Sequence, residues 1–163
     1  MVNATYKLAP WADVLYAADH QFWKVYRGDI FQKFKGELWT VSEQSREMFG
    51  LYWIHHDTSN GYSKQADSIT GGGNSGHQAL HLAALFGAKK IILIGYDMQR
   101  TGGKEHWHGK HEGGLHNGAG FVNWIHRMKY LADDLAEMGV EVINASRVSA
   151  LKCFPRATIE EVL

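Results

Sequence analysis

The sequence predicts an α/β fold with a largely parallel sheet. Three observations carry that expectation. Short strand-like runs alternate with helix-like segments along the chain, which is the order of βα units. Lys90 to Ile94 (KIILI) is a near-continuous apolar run of the kind carried by a parallel strand buried on both faces. Phe121, Trp124, Ile125, Met128, Leu131, Leu135 and Met138 form one stripe at three- and four-residue spacing, which predicts a long amphipathic helix that Gly139 ends.

The other elements follow in order. Asp13 to Asp19 (DVLYAAD) reads as a short buried strand ending in an acid. Phe22, Trp23 and Tyr26, then Ile30, Phe31 and Phe34, have helical spacing, with a break into two pieces expected at Gly28-Asp29. Glu37 to Val41 is a second strand. Ser42 to Phe49 is a short helix with Ser42 as its cap and Gly50 as its stop. Leu51 to His56 is a third strand, and the polar DTSNGYSKQADSI segment after it reads as a loop. Thr70 to Gly76 (TGGGNSG) opens a helix from about Ser75 to Phe86, which stops at Gly87. Gly95 to Gly120 is a long loop, and at that length a loop is usually functional or mobile. Val140 to Ser146 is the last strand, and RATIEEVL a final short helix.

The 163 residues fit a single domain, residues 1–163. Lys plus Arg equals Asp plus Glu, so the basic excess expected of a nucleic-acid binder is missing. No window approaches the ~18 apolar residues of a membrane span, and the N-terminus lacks the apolar core of a signal peptide. A single cysteine, Cys153, excludes an internal disulfide framework and suits a reducing cytoplasm.

The chemistry concentrates at three places. Three successive glycines before a helix allow close backbone approach to a ligand, and the helix N-terminus favours an anion. Gly72, Gly73, Asn74 and Ser75 are therefore candidate phosphate contacts, with Asn74 or Ser75 as the cap. The turn matches neither the P-loop nor the G-x-G-x-x-G pattern, so a capped helix behind a flexible loop is the competing reading. Tyr96 and Asp97 follow the apolar strand, where ligands of open α/β sheets sit. Asp19, His55, His56, Asn144 and Ser146 occupy the corresponding ends of other strands. Finally, KEHWHGKHEGGLH holds His106, His108, His111 and His116. His106, His108 and His111 approximate an H-x-H-x-D-H metal pattern, with Lys110 in the aspartate's place. Histidine suits zinc, but a cation stands where a ligand belongs. One of these histidines as a general base is the alternative. His77 and His81, one helical turn apart, read as the polar face of an apolar helix, with a metal pair as the other reading.

The block TGGGNSGHQALHLAALFGAKKIILIGYDM resembles the sialyltransferase-like α/β proteins. These include bacterial sialyltransferases that use CMP-sialic acid and relatives among motility accessory factors and pterin pyrophosphokinase-like proteins. In size and in its HWHG-x-H loop the chain is most similar to short uncharacterised phage proteins of that group. The likeness implies a three-layer Rossmann-like fold with a mainly parallel sheet, lacking the first Gly-loop βα unit that normally binds the nucleotide. Ser75 and its glycines would face the donor phosphate, and Asn3, Asn144 and Ser146 would add nucleotide contacts. His111 or His116 would be the base that deprotonates an acceptor hydroxyl, with Asp97 beside it among the catalytic candidates. The family needs no metal or other cofactor beyond the nucleotide-sugar donor. An edge left by the missing strand is one that homo-oligomerisation would cover.

Three functions are thus open. The first is a glycosyltransferase-like protein that binds a CMP-sugar type donor in the cytoplasm of a bacterial host. The second is a non-catalytic nucleotide-binding or structural phage protein. The third is a metal-dependent hydrolase using His106, His108 and His111.

Overall fold

The structure, a computed structural model, describes residues 1–100 and 120–163. It is an α/β arrangement in which every strand pairing is parallel. A 3-10 turn, Asn3–Lys7, leads into β1 (Val14–Tyr16), α1 (His20–Lys33), β2 (Glu37–Thr40), α2 (Glu43–Phe49), β3 (Tyr52–Trp53) and β4 (His55–Asp57). Next come β5 (Ser68–Thr70), α3 (Ser75–Leu85), β6 (Lys90–Leu93), α4 (Phe121–Glu137), β7 (Glu141–Asn144) and α5 (Ile159–Val162).

β1, β2 and β3 pair in that order, β4 pairs with β5, and β6 with β7. Only Ile54 separates β3 from β4, and its N–H still donates to the Thr40 carbonyl at 3.1 Å. The run 52–57 therefore passes from β2 as its neighbour to β5 as its neighbour. The expected third strand is this run, interrupted where it changes partner. Val2 bridges the outer side of β1 at Tyr16, and Arg156 bridges β7 at Asn144.

Capping residues fix the helix ends. Ser42 accepts from the Ser45 N–H at the start of α2, and left-handed Gly50 closes it. Asn74 does the same for α3, accepting from the His77 N–H at 2.9 Å. The break expected at Gly28-Asp29 does not occur: α1 runs unbroken from His20 to Lys33. A mid-helix glycine costs about 1 kcal/mol relative to alanine. Burial of Phe22, Trp23 and Ile30 on the same helix outweighs that cost.

Three apolar clusters form the core. Tyr6, Leu15, Phe22, Trp23, Ile30, Phe34 and Leu51 gather between α1 and β1–β3. Tyr16, Ile54, Ile69 and Leu82 lie in the middle. Met128, Leu131 and Leu135 of α4 join Leu80, Leu93, Val142, Leu151 and Phe154. Met138, last of the predicted stripe, is exposed because it caps α4 rather than continuing it. Two other expectations need correction. The segment after His56 is not all loop, because Ser68–Thr70 pairs with β4. β6 is also only half-buried, and Ile94 is 65% exposed, since β7 is its one ladder partner among the described residues.

Candidate functional site

β5 delivers the chain to Gly71, and the next two residues take left-handed backbone, Gly72 at φ 57° and Gly73 at φ 80°. Only glycine adopts such consecutive angles without strain. Space enforces the choice at Gly72, where a Cβ would stand 2.0 Å from Cγ of His77. Asn74 then caps α3, leaving the Ser75 and Gly76 amides without a partner among the described residues. Those amides and the helix dipole make an electropositive end.

His77 lies directly beneath this turn. It is 1% exposed, and its Nδ1 has no hydrogen-bond partner among the described residues. Burial drives its pKa down to about 4, with the Arg127 charge lowering it further and the Thr70 and Arg127 backbones partly opposing. Arg127 and Trp124 of α4 reach the turn from the other side. The Gly73 Cβ position falls 3.4 Å from an Arg127 Nη and 3.1 Å from the Trp124 indole nitrogen. Arg127 itself has no ion-pair partner among the described residues. Across the turn, Nε2 of exposed His56 lies 2.3 Å from the Gly71 Cβ position. Gly73 thus has a guanidinium and an indole nitrogen beside it, close before the N-terminus of α3.

One turn further along α3, His81 is fully buried with polar neighbours at both ring nitrogens, only one of which can accept an N–H in the neutral ring. Its Nδ1 meets the Thr70 N–H at 3.1 Å and the Thr70 hydroxyl at 3.0 Å, and its Nε2 meets the Ser63 N–H at 3.4 Å. Tyr62 packs over the ring at 4.3 Å. Its pKa falls to about 4 through burial and the neighbouring His77, against a rise from Asp57. The Ser63 hydroxyl donates to Asp57 at 2.6 Å, and the Tyr62 N–H to Asp134 at 2.6 Å. His81 thus anchors residues 61–63 to β5. The pair His77 and His81 is not a solvent-facing polar stripe: both rings are interior.

The strand-end residues divide differently from the sequence expectation. Asn144 and Ser146 are buried and engaged internally. Asn144 Nδ2 donates to Ser149, whose hydroxyl donates to the Tyr96 carbonyl, and Ser146 Oγ accepts the Tyr96 N–H at 2.8 Å. These bonds hold the turn after β6, and the Tyr96 hydroxyl carries it to α3 by donating to the Gly76 carbonyl at 2.9 Å. Asp97 lies in the same turn, its carbonyl accepting from Ala150. Asn3 sits at positive φ (49°), one residue past the Val2–Tyr16 bridge, and its buried Oδ1 has no partner among the described residues.

Gly72, Gly73, Asn74 and Ser75 therefore share one turn, with Tyr96 linking it to the end of β6. His106, His108, His111 and His116 lie outside the described residues. Among the described residues no group of three or more His, Cys, Asp or Glu side chains could hold a metal, and no helix is long and apolar enough to cross a membrane. Sequence reasoning placed Trp124 in the apolar stripe of α4, not at a site, and did not single out Arg127. Their i, i+3 spacing on α4 was visible, but not that this face meets the glycine turn. No family model, curated protein or solved structure matches the chain.

Proposed function

We propose that the chain binds the phosphate of a nucleotide-type small molecule at the Gly71–Ser75 turn, as a glycosyltransferase-like protein that takes a CMP-sugar type donor. The observation that carries the binding step is the turn itself: two consecutive left-handed glycines before a capped helix N-terminus, with an Arg127 Nη 3.4 Å from the Gly73 Cβ position. Arg127 supplies the charge and the Ser75 and Gly76 amides the directional donors. The parallel pairing and the phosphate site outside the strand ends support the Rossmann-like, three-layer form of the fold. Sugar transfer additionally requires a base, for which His111, His116 and Asp97 are the proposed residues. The lone, half-buried Cys153 suits the cytoplasm of a bacterial host.

The test is thermal denaturation with CMP, cytidine and inorganic phosphate at millimolar concentration. A ligand that binds only the folded chain at about 100 times its Kd adds about 2.7 kcal/mol. Stabilisation by CMP and phosphate but not by cytidine is expected, with its loss in Arg127→Ala. Equal effects of cytidine and CMP would place recognition on the base and refute the phosphate site.

A further inference from the structure

The first residues of β1, β2 and β3 border a cleft of about 570 Å³, at the other end of the parallel strands from the glycine turn. That volume lies within the range of small-molecule sites, about 300–1,000 Å³. Trp39 and Tyr52 are partners across the β2–β3 ladder, and their rings stack at 5.2 Å and 17°. Phe86, the C-cap residue of α3, packs against the same indole at 5.1 Å and 67°. The indole N–H in turn donates to Glu37 at 2.8 Å. Half-buried Trp39 thus fixes two rings that remain open to solvent, Tyr52 at 55% and Phe86 at 50% exposure.

Charged groups line the same cleft. Gly36 lets the entry to β2 lie against Asp13, since a Cβ there would fall 2.2 Å from the Asp13 carbonyl oxygen. That carbonyl accepts the Glu37 N–H at 2.7 Å. The carboxylates of Asp13 and Glu37 and the ammonium of Lys35 therefore border the cleft with Tyr52 and Phe86. The electron-rich faces of the rings attract polarised C–H groups or a cation. Lys35 opposes a cation, while Asp13 and Glu37 oppose a phosphate or another anion. Acceptors and a donor side by side suit a ligand that carries both. A neutral sugar ring meets each demand, because its hydroxyls donate and accept and its C–H face stacks on an aromatic ring. We propose that this cleft binds a neutral pyranose, stacked on Tyr52, with its hydroxyls donating to Asp13 and Glu37 and accepting from Lys35. The site attaches the chain to a saccharide without making or breaking a bond, and it stands independently of the phosphate site.

Saturation-transfer NMR and tryptophan-emission titrations with cellobiose, maltose, lactose and di-N-acetylchitobiose at millimolar concentration test it. At least one of the four is expected to bind. Tyr52→Ala should weaken that binding at least about tenfold, and Tyr52→Phe, which keeps the stack, by less than about threefold. Arg127→Ala should leave it unchanged. Binding by none of the four overturns the proposal, as does undiminished binding in Tyr52→Ala. Choline bound more tightly than all four sugars would mark a cation site and overturn it too. Nuclear Overhauser contacts between sugar C–H protons and the Tyr52 ring are expected in the wild-type protein, a readout that needs no variant. A bound sugar without them overturns the proposal.

Discussion

His77 and His81 share a helix, a face and nearly complete burial, yet they differ in what surrounds their nitrogens. Two backbone amides and a threonine hydroxyl close on His81, whereas the Nδ1 of His77 meets none of the described polar groups. The contrast separates a histidine with polar neighbours at both ring nitrogens from one that leaves a buried nitrogen unpaired among the described residues. It also shows that burial alone does not distinguish the two roles. Hydrogen-bond accounting does.

The largest expected effect comes from closing the space between the turn and His77. Gly72→Ala places a methyl within the His77 ring and strains a left-handed residue, so a loss of at least about 3 kcal/mol is expected in urea denaturation. Gly87→Ala is the control. It has φ 90° but nothing within 4 Å of its Cβ position, and should cost only the backbone term, about 1–2 kcal/mol. Equal losses would mean that contact with His77 does not constrain the turn.

The histidines themselves come next. His81→Ala removes the acceptor of one backbone amide, that of Thr70 or of Ser63, and leaves a cavity, for an expected loss of about 2–4 kcal/mol. His77→Leu removes an unsatisfied atom while keeping the volume, and should change stability by less than about 1 kcal/mol. A reversal of that order would assign the structural role to His77.

Acid should act on both rings together. Each holds fewer protons folded than unfolded, its pKa lying near 4 instead of 6.5. Their contribution is complete above about pH 6.5 and is lost progressively as the pH falls toward 4. Between pH 7 and 5 the chain should lose about 2 kcal/mol for each ring, read from denaturation midpoints at the two values. A flat profile over that window would contradict the burial of both. The smallest effect is Tyr96→Phe, which deletes the bond to the Gly76 carbonyl and should cost about 1 kcal/mol.

Much of this arrangement was legible in the residues. Ser42 and Gly50 around α2, Asn74 and Gly87 around α3, and the α4 stripe announce themselves through local chemistry, because a cap or a periodic face needs only its neighbours in sequence. The glycine turn was legible for the same reason. β5 was not, since three residues after a polar segment become a strand only by pairing with β4. The role of His81 depends on amides 11 and 18 residues away, and that of Arg127 on α4 standing against α3. Gly28 misled because the anchoring aromatic residues of α1 outweigh a local preference.

The position of Trp124 has a practical consequence. Its indole lies against both Gly73 and Gly120, in a chain whose Trp23 is sealed in the core and whose Trp11 is 82% exposed. The molecule thus carries its own optical probe at the turn, between one tryptophan that solvent never reaches and another that it always does. Occupancy of the turn should register as a change in emission that disappears in Trp124→Phe, without any label being attached.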